Sequence, residues 1–334
     1  VTRAVVFAYS EVGVRCVEEL LAQDVEIPLL FTHQDDPKES HWFGSVAGLA
    51  RERGLNAVTP EDPNTPEWLA AGRAAQPDFV FSFYYRHLLK APWLTLAPRG
   101  ALNMHGSLLP KYRGRAPVHW AIIGGETETG ASLHYMVEKP DAGALVDSEA
   151  VPIGVNDTAL EVSLKVAGAA RAVLARSLPK LIAGTAPAQP LDLARGSYFG
   201  RRRPEDGRID WRRGARAVHD LVRAVAPPFP GAFTEVAGMR LDVLSTALDE
   251  EPPRFPAQAP CLYSQGDAWY ADCMDGRRLR ILTLAIAGTP VAPGAAPAEL
   301  GGRPLALLPE NRPASAAMRP ATPDDPAASR KPST

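Results

Sequence analysis

A chain of 334 residues exceeds the usual size of a single domain, so two packed units of unequal size are expected, and 46% hydrophobic with 22% charged residues is enough apolar material for real cores. A formal net charge of -2 and an isoelectric point near 6.4 argue against a surface built to neutralise phosphate backbones. Broad nucleic-acid binding is therefore not expected. Cys16, Cys261 and Cys273 are too loosely spaced for a CxxC motif and cannot all pair within one chain, which points to a reducing compartment. The apolar stretch Ala4 to Tyr9 is too short for a signal-peptide core, and no run reaches the roughly 20 apolar residues of a membrane helix. A cytoplasmic location with no membrane partner is the expectation.

In chain order, the unbroken apolar run Ala4 to Ala8 predicts a strand, and Val12, Cys16, Val17, Leu20 and Leu21 recur at helical spacing. The order repeats. Val25 to Thr32 reads as a strand, Trp42 to Arg53 as a helix stopped by Gly54, Trp68 to Ala75 as a helix and Phe79 to Phe83 as a third apolar strand. Alternation of this kind predicts an α/β unit with a mostly parallel sheet covered on both faces, in the manner of a Rossmann fold. Ligands in such sheets collect beyond the carboxyl ends of the strands, so the loops after Phe83 and Leu102 are where chemistry is expected.

Ala131 to Val137 and Ala144 to Ile153 read as strands around a turn from Glu138 to Gly143. Thr158 to Ala183 has the longest helical pattern, capped by Asp157 or Thr158 and stopped by Gly184. The first unit is placed at residues 1–190, and the Pro- and Ala-rich segment Thr185 to Leu193 reads as a linker. A second unit, residues 197–308, carries short strand-like runs at Ala232 to Val236, Arg240 to Leu244, Ala268 to Ala271 and Arg278 to Ile286, as in a small, OB-like β-barrel. Residues 309–334 are rich in Pro, Ala and Ser and are expected to form a disordered tail.

The densest chemistry lies between Leu102 and Arg115, LNMHGSLLPKYRGR. Asn103 and His105 are two apart, so at the end of a strand they project to the same side. An amide donor and an imidazole on one face can both reach an oxygen that becomes negative during acyl transfer. A ring that changes protonation near neutrality also suits the attack of an amine, which releases a proton while the leaving nitrogen needs one. Asp141 would favour the imidazolium and orient it, provided that the turn from Glu138 to Gly143 folds back over the strand end. A lone histidine after a strand is more often a hydrogen-bonded structural residue, and His119, His134 and His219 are read in that way.

The run from Asn103 to Gly114, followed by Asp141-Ala142-Gly143, resembles the signature of the formyltransferase family that uses 10-formyltetrahydrofolate. The resemblance implies a catalytic trio of Asn103, His105 and Asp141. It extends through Phe81 to Leu88, Gly125 to Gly130, Phe199 to Arg202 and Arg223 to Phe233, to about residue 305. Within the family these segments are most similar to the UDP-4-amino-4-deoxy-L-arabinose formyltransferase unit of bifunctional polymyxin-resistance proteins, on the route to aminoarabinose-modified lipid A. By that resemblance His87, Leu88, Leu89, Arg115, Val137, Glu138, Lys139, Pro140 and Asp141 line the folate site, and the acceptor is a UDP-amino sugar. No GxGxxG follows a strand, so no NAD site is expected. An NAD-dependent decarboxylation would need a separate protein partner or a missing portion of the gene, and no metal is implied.

Arg201, Arg202, Arg203, Arg208, Arg212 and Arg213 admit three readings. They could be a solvated face paired with Glu205, Asp206 and Asp210, a pyrophosphate clamp led by Arg201 or Arg203, or an RNA contact. Two other functions stay in view. A methionyl-tRNA formyltransferase would share the catalytic residues, though the acidic balance speaks against it. A non-catalytic folate or nucleotide-sugar binder would gain nothing from a site matched to a developing oxyanion.

Overall fold

The computed structural model describes residues 1–35, 42–236, 238–255, 259–295, 297, 300 and 304–307. The chain opens with β1 (Arg3–Ala8), α1 (Ser10–Ala22), β2 (Glu26–Phe31), α2 (Val46–Arg53), β3 (Ala57–Val58), α3 (Pro66–Ala74), β4 (Phe79–Phe83), α4 (Ala91–Leu94) and β5 (Ala101–His105). It continues through β6 (Arg113–Gly114), α5 (Pro117–Ile123), β7 (Glu128–Tyr135), β8 (Leu145–Pro152) and α6 (Ala159–Ala183). The expected tail, 309–334, lies outside the described residues.

The first sheet has the order β3-β2-β1-β4-β5-β7-β8. β1 and β4 are buried on both faces, as their continuous apolar sequences require of central parallel strands. β1 pairs in parallel with β2 on one side and β4 on the other, so the chain order reverses there and opens a crevice at the carboxyl ends. β7 then pairs antiparallel with β5 and β8 antiparallel with β7, which gives the sheet its mixed character.

One face is covered by α1 and α6, whose Cys16, Val17, Leu20, Val166, Ala170 and Val173 meet Val6, Phe81 and Met104. On the other face Phe7, Phe31 and Trp93 meet edge to face or stacked, with Trp93 held by its indole N–H to the Pro63 carbonyl at 3.0 Å. Truncating a buried Trp of this kind costs about 3–5 kcal/mol. α6 begins in a capping box, Thr158 with Glu161, and ends on Gly184 at φ 71°. α2 starts later than its apolar pattern predicts, at Val46, because the Ser45 side chain accepts from the Gly48 N–H and caps it there.

Beyond β9 (Tyr198–Phe199) and α7 (Ala215–Val225) come β10 (Ala232–Val236), β11 (Met239–Asp249), β12 (Cys261–Gln265), β13 (Ala268–Asp272), β14 (Arg278–Ile286), β15 (Thr289–Pro290) and β16 (Leu305–Ala306). They form a curled, barrel-like antiparallel sheet of order β10-β11-β14-β13-β12-β16, with β15 paired to β14. α7 joins this sheet to the first. The His219 ring donates from Nε2 to the Val155 carbonyl at 3.0 Å and meets Thr246 Oγ1 through Nδ1 at 2.9 Å. Arg223 is 3% exposed, pairs with Asp220 at 2.7 Å, and donates through Nη1 to the carbonyls of Gly154 and Asp157.

Candidate active site

β5 ends in Asn103 and His105, whose strand neighbours in β7 are His134 and Ser132. Period-two alternation points all four side chains to the same side of this pair of strands. Ser132 accepts from the Leu109 N–H at 3.2 Å and donates to the Ser107 carbonyl at 2.7 Å, which fixes the loop that leaves β5. That loop brings the Tyr112 carbonyl to within 2.8 Å of His105 Nε2. A carbonyl only accepts, so Nε2 carries a proton and Nδ1 faces Asp141, with Oδ1 at 3.6 Å.

The turn from Glu138 to Gly143 does fold back over the strand end. Asp141 adopts φ 51°, and Gly143 passes so close to Tyr135 that a Cβ would lie 1.9 Å from its carbonyl oxygen. Asp141 Oδ2 accepts from the Gly114 N–H at 2.8 Å, and Oδ1 lies 3.4 Å from Asn103 Nδ2 and 3.6 Å from His134 Nε2. Burial alone would raise this carboxyl. The charge of His105, foremost, and the hydrogen bond from the Gly114 N–H oppose burial, and Asp141 is held well below the usual carboxylate range.

His134, read from sequence as structural, is a member of this cluster. Its Nδ1 donates to the Tyr135 carbonyl at 2.8 Å, which leaves Nε2 of the neutral ring to accept from Asn103 Nδ2 at 3.2 Å. The signal was available in the period of β7, which puts Ser132 and His134 on one face. His119 is elsewhere: Nδ1 donates to the Ala224 carbonyl at 2.6 Å, the ring meets Phe229 edge to face, and burial pushes its pKa down to about 4.

Of the residues expected at the folate site, His87 to Leu89 follow β4 and Val137 to Asp141 follow β7. Leu88 is 67% and Val137 48% exposed, both unusually open for large aliphatic side chains. His87, Glu138 and Lys139 are exposed and Leu89 and Pro140 half-buried. The turn after β4 is tied down by Asn64, which donates to the Leu88 carbonyl at 3.1 Å and accepts from the Lys90 N–H at 2.8 Å. Nothing in the local sequence singles out Asn64, since it acts across 24 residues from a separate loop. His33 accepts from the Arg86 N–H at 3.1 Å and stacks on Tyr85; burial, then His87 and Arg86, push it down to about 4, so its ring is neutral near pH 7.

Arg115 donates from Nη2 to the Arg86 carbonyl at 3.3 Å. Of the later arginines, Arg202 lies over the Trp120 ring and donates to the Asp206 carbonyl, Arg208 pairs with Glu235 and Arg212 with Asp210. These three are engaged locally. Arg201 and Arg203 are exposed. Among the described residues no group of three or more His, Cys, Asp or Glu is placed to hold a metal ion, and no helix is long and apolar enough to cross a membrane.

The family model for formyl transferase matches residues 5–178, more than half of the chain, and the model for the formyl transferase C-terminal domain matches 202–297. The chain belongs to the formyl transferase family. Solved structures with the same fold include an N-formyltransferase from Helicobacter canadensis in complex with folinic acid and dTDP-3-aminofucose, 18% identical, covering 84% of this formyltransferase and 99% of that chain at a TM-score of 0.66. WlaRD, a sugar 3N-formyl transferase solved in the presence of dTDP and 5-N-formyl-THF, is 16% identical and covers 86% of this chain and 98% of its own at a TM-score of 0.66. HypX from Aquifex aeolicus in complex with tetrahydrofolic acid is 17% identical and covers 87% of this formyltransferase but 45% of its own chain, at a TM-score of 0.57. At these identities the likeness is one of fold.

Proposed function

We propose that this formyltransferase moves a formyl group from 10-formyltetrahydrofolate to the 4-amino group of a UDP-amino sugar, with UDP-4-amino-4-deoxy-L-arabinose as the acceptor. The observation that carries this reading is the convergence of Asn103, His105 and Asp141 at the carboxyl end of β5, in a chain that matches both formyl transferase domains. The solved structures of sugar N-formyltransferases that share the fold support a sugar amine as acceptor.

The residues present fit a folate. Exposed Leu88 and Val137 offer apolar cover for a flat heteroaromatic ring, and Arg115 offers a forked donor to a carboxylate. The folate supplies the formyl carbon as a co-substrate. Asn103 Nδ2 donates toward the formyl oxygen as it gains negative charge; its 3.4 Å contact to Asp141 is long enough to yield without a large cost. His105 carries a proton from the attacking amine to the leaving nitrogen. One C–N bond forms, one breaks, and the proton count is conserved. Asp141 stays a carboxylate throughout and keeps the ring oriented.

The test is an acceptor screen with 10-formyltetrahydrofolate held constant. UDP-4-amino-4-deoxy-L-arabinose, a dTDP-amino sugar and charged initiator tRNA are each incubated with purified protein, and the formamide is sought by mass spectrometry. Product on the UDP-amino sugar is expected. Product on tRNA alone, or formate released without any amine, would replace this reading.

A further inference from the structure

Between the two backbone groups that grip His105 and Asp141 sits a side chain with no role so far. Tyr112 lends its carbonyl to His105, Gly114 its N–H to Asp141, and Arg113 lies between them. Arg113 is 6% exposed, and its Nε and Nη1 are enclosed with no hydrogen-bond partner among the described residues. A guanidinium does not shed its proton on burial as a lysine can, so the charge remains. Enclosing the N–H donors of a cation without acceptors is costly, and such costs persist where function requires them.

Register sets its direction. In the parallel β6–β9 pair Arg113 lies opposite Tyr198 and Gly114 opposite Phe199. Tyr112 and Phe199 stack on one face with centroids 5.4 Å apart, so Arg113, Arg115 and Tyr198 take the other. The Arg113 guanidinium stands 5.9 Å from the centre of the Tyr198 ring. That phenol is raised by burial and then by the charge of Asp141, and is opposed by Arg115 and Arg113, so the Tyr198 ring stands among these three charges. Arg115 is itself pulled below its ordinary value by burial and next by Arg201. Positive charge has been crowded here while Asp141 is already held by His105, His134, Asn103 and Gly114.

We propose that Arg113, backed by Arg115, reads an oxyanion of a substrate, whose phosphate or carboxylate supplies the counter-charge that the fold withholds. This deepens the function proposed above and rests on it for the identity of the substrates. The same guanidinium chemistry suits the diphosphate of a nucleotide sugar and the glutamate carboxylates of a folate, and the experiment separates the two.

Binding of inorganic pyrophosphate to the wild-type chain, Arg113→Met and Arg113→Lys is measured by calorimetry, which needs neither acceptor nor turnover. KM and kcat for donor and acceptor, and thermal melting, are measured on the same three proteins. Arg113→Met is expected to lose at least about tenfold in pyrophosphate affinity and to raise the acceptor KM about tenfold if the anion is the diphosphate, or to raise the donor KM alone about tenfold if it is the glutamate. Its kcat stays within about threefold, because the loss falls on ground-state and transition-state binding alike. It also melts no lower than wild type, because an unpaired buried charge has been removed. Arg113→Lys keeps the charge and recovers part of the loss.

Unchanged pyrophosphate affinity with both KM values unchanged in Arg113→Met would overturn the proposal. So would a lower melting point with no KM change, which would make Arg113 a packing residue. A wild-type chain that binds pyrophosphate in an Arg113-dependent way but formylates no nucleotide sugar would leave the anion site standing and remove the acceptor instead.

Discussion

Asn103 and His134 face each other across the antiparallel β5–β7 pair, with the amide Nδ2 3.2 Å from the ring Nε2. The contact holds the amide so that its nitrogen, not its oxygen, turns toward the reacting centre. His134→Ala removes this acceptor and frees the amide to rotate. We expect kcat to fall about tenfold, the worth of one modest hydrogen bond, with donor KM little changed. Steady-state kinetics decide it; a kcat equal to wild type would deny His134 any part in orienting Asn103.

Asp141→Asn retains shape but removes the charge and sets an amide against the Gly114 N–H. Turnover should drop by at least about a hundredfold, while folate still binds. His105→Ala should do the same. Equilibrium dialysis with a folate analogue separates lost binding from lost chemistry, and an active Asp141→Asn enzyme would refute the assigned pairing.

The same carboxyl sets a pH dependence. Its folded pKa is depressed below the unfolded value, so its stabilising contribution is present above the unfolded value near 3.9 and is lost as pH falls toward the folded one. Melting profiles of wild type and Asp141→Asn should therefore converge progressively as pH falls below about 4. Parallel profiles through that window would mean that Asp141 contributes no such term.

Gly106 is required by Tyr84. A Cβ at position 106 would lie 1.7 Å from the Tyr84 hydroxyl oxygen, and Tyr84 is itself held at φ 59°. Gly106→Ala should destabilise by about 1–3 kcal/mol through overpacking. Tyr84→Phe in the same chain removes the clashing oxygen and should return part of that loss; a double-mutant cycle with no coupling would place the strain elsewhere.

Asp220 and Arg223 form a buried pair on α7, where Arg223 also holds the turn between β8 and α6. Asp220→Ala leaves the guanidinium enclosed with carbonyls but no anion. A loss of about 3–5 kcal/mol is expected in chemical denaturation. A variant that unfolds at the wild-type denaturant midpoint would contradict the pairing.

Local order could be read directly. The apolar runs of β1 and β4, the cap at Thr158 and the stop at Gly184 are carried by neighbouring residues whose backbone preferences and side-chain period act over one or two turns. α5 and α7 were not anticipated, because their short patterns are interrupted by His119, His219 and Asp220, which the fold buries in hydrogen bonds and ion pairs. β12 was missed for a similar reason: Leu262 is its member of the core, while Tyr263 lies on the other face with its hydroxyl donating to Asp272 in the next strand.

By itself the chain determined that Asn103 and His105 share a face, because a strand repeats every two residues, and that a sharp turn carries Asp141. Only the folded molecule decided that this turn closes on β5, that His134 joins through the β7 register, and that Arg113 is buried with Nε and Nη1 unpaired among the described residues. Those outcomes depend on which strands become neighbours and in what register, a choice made by the burial of the whole sheet and not by any one segment.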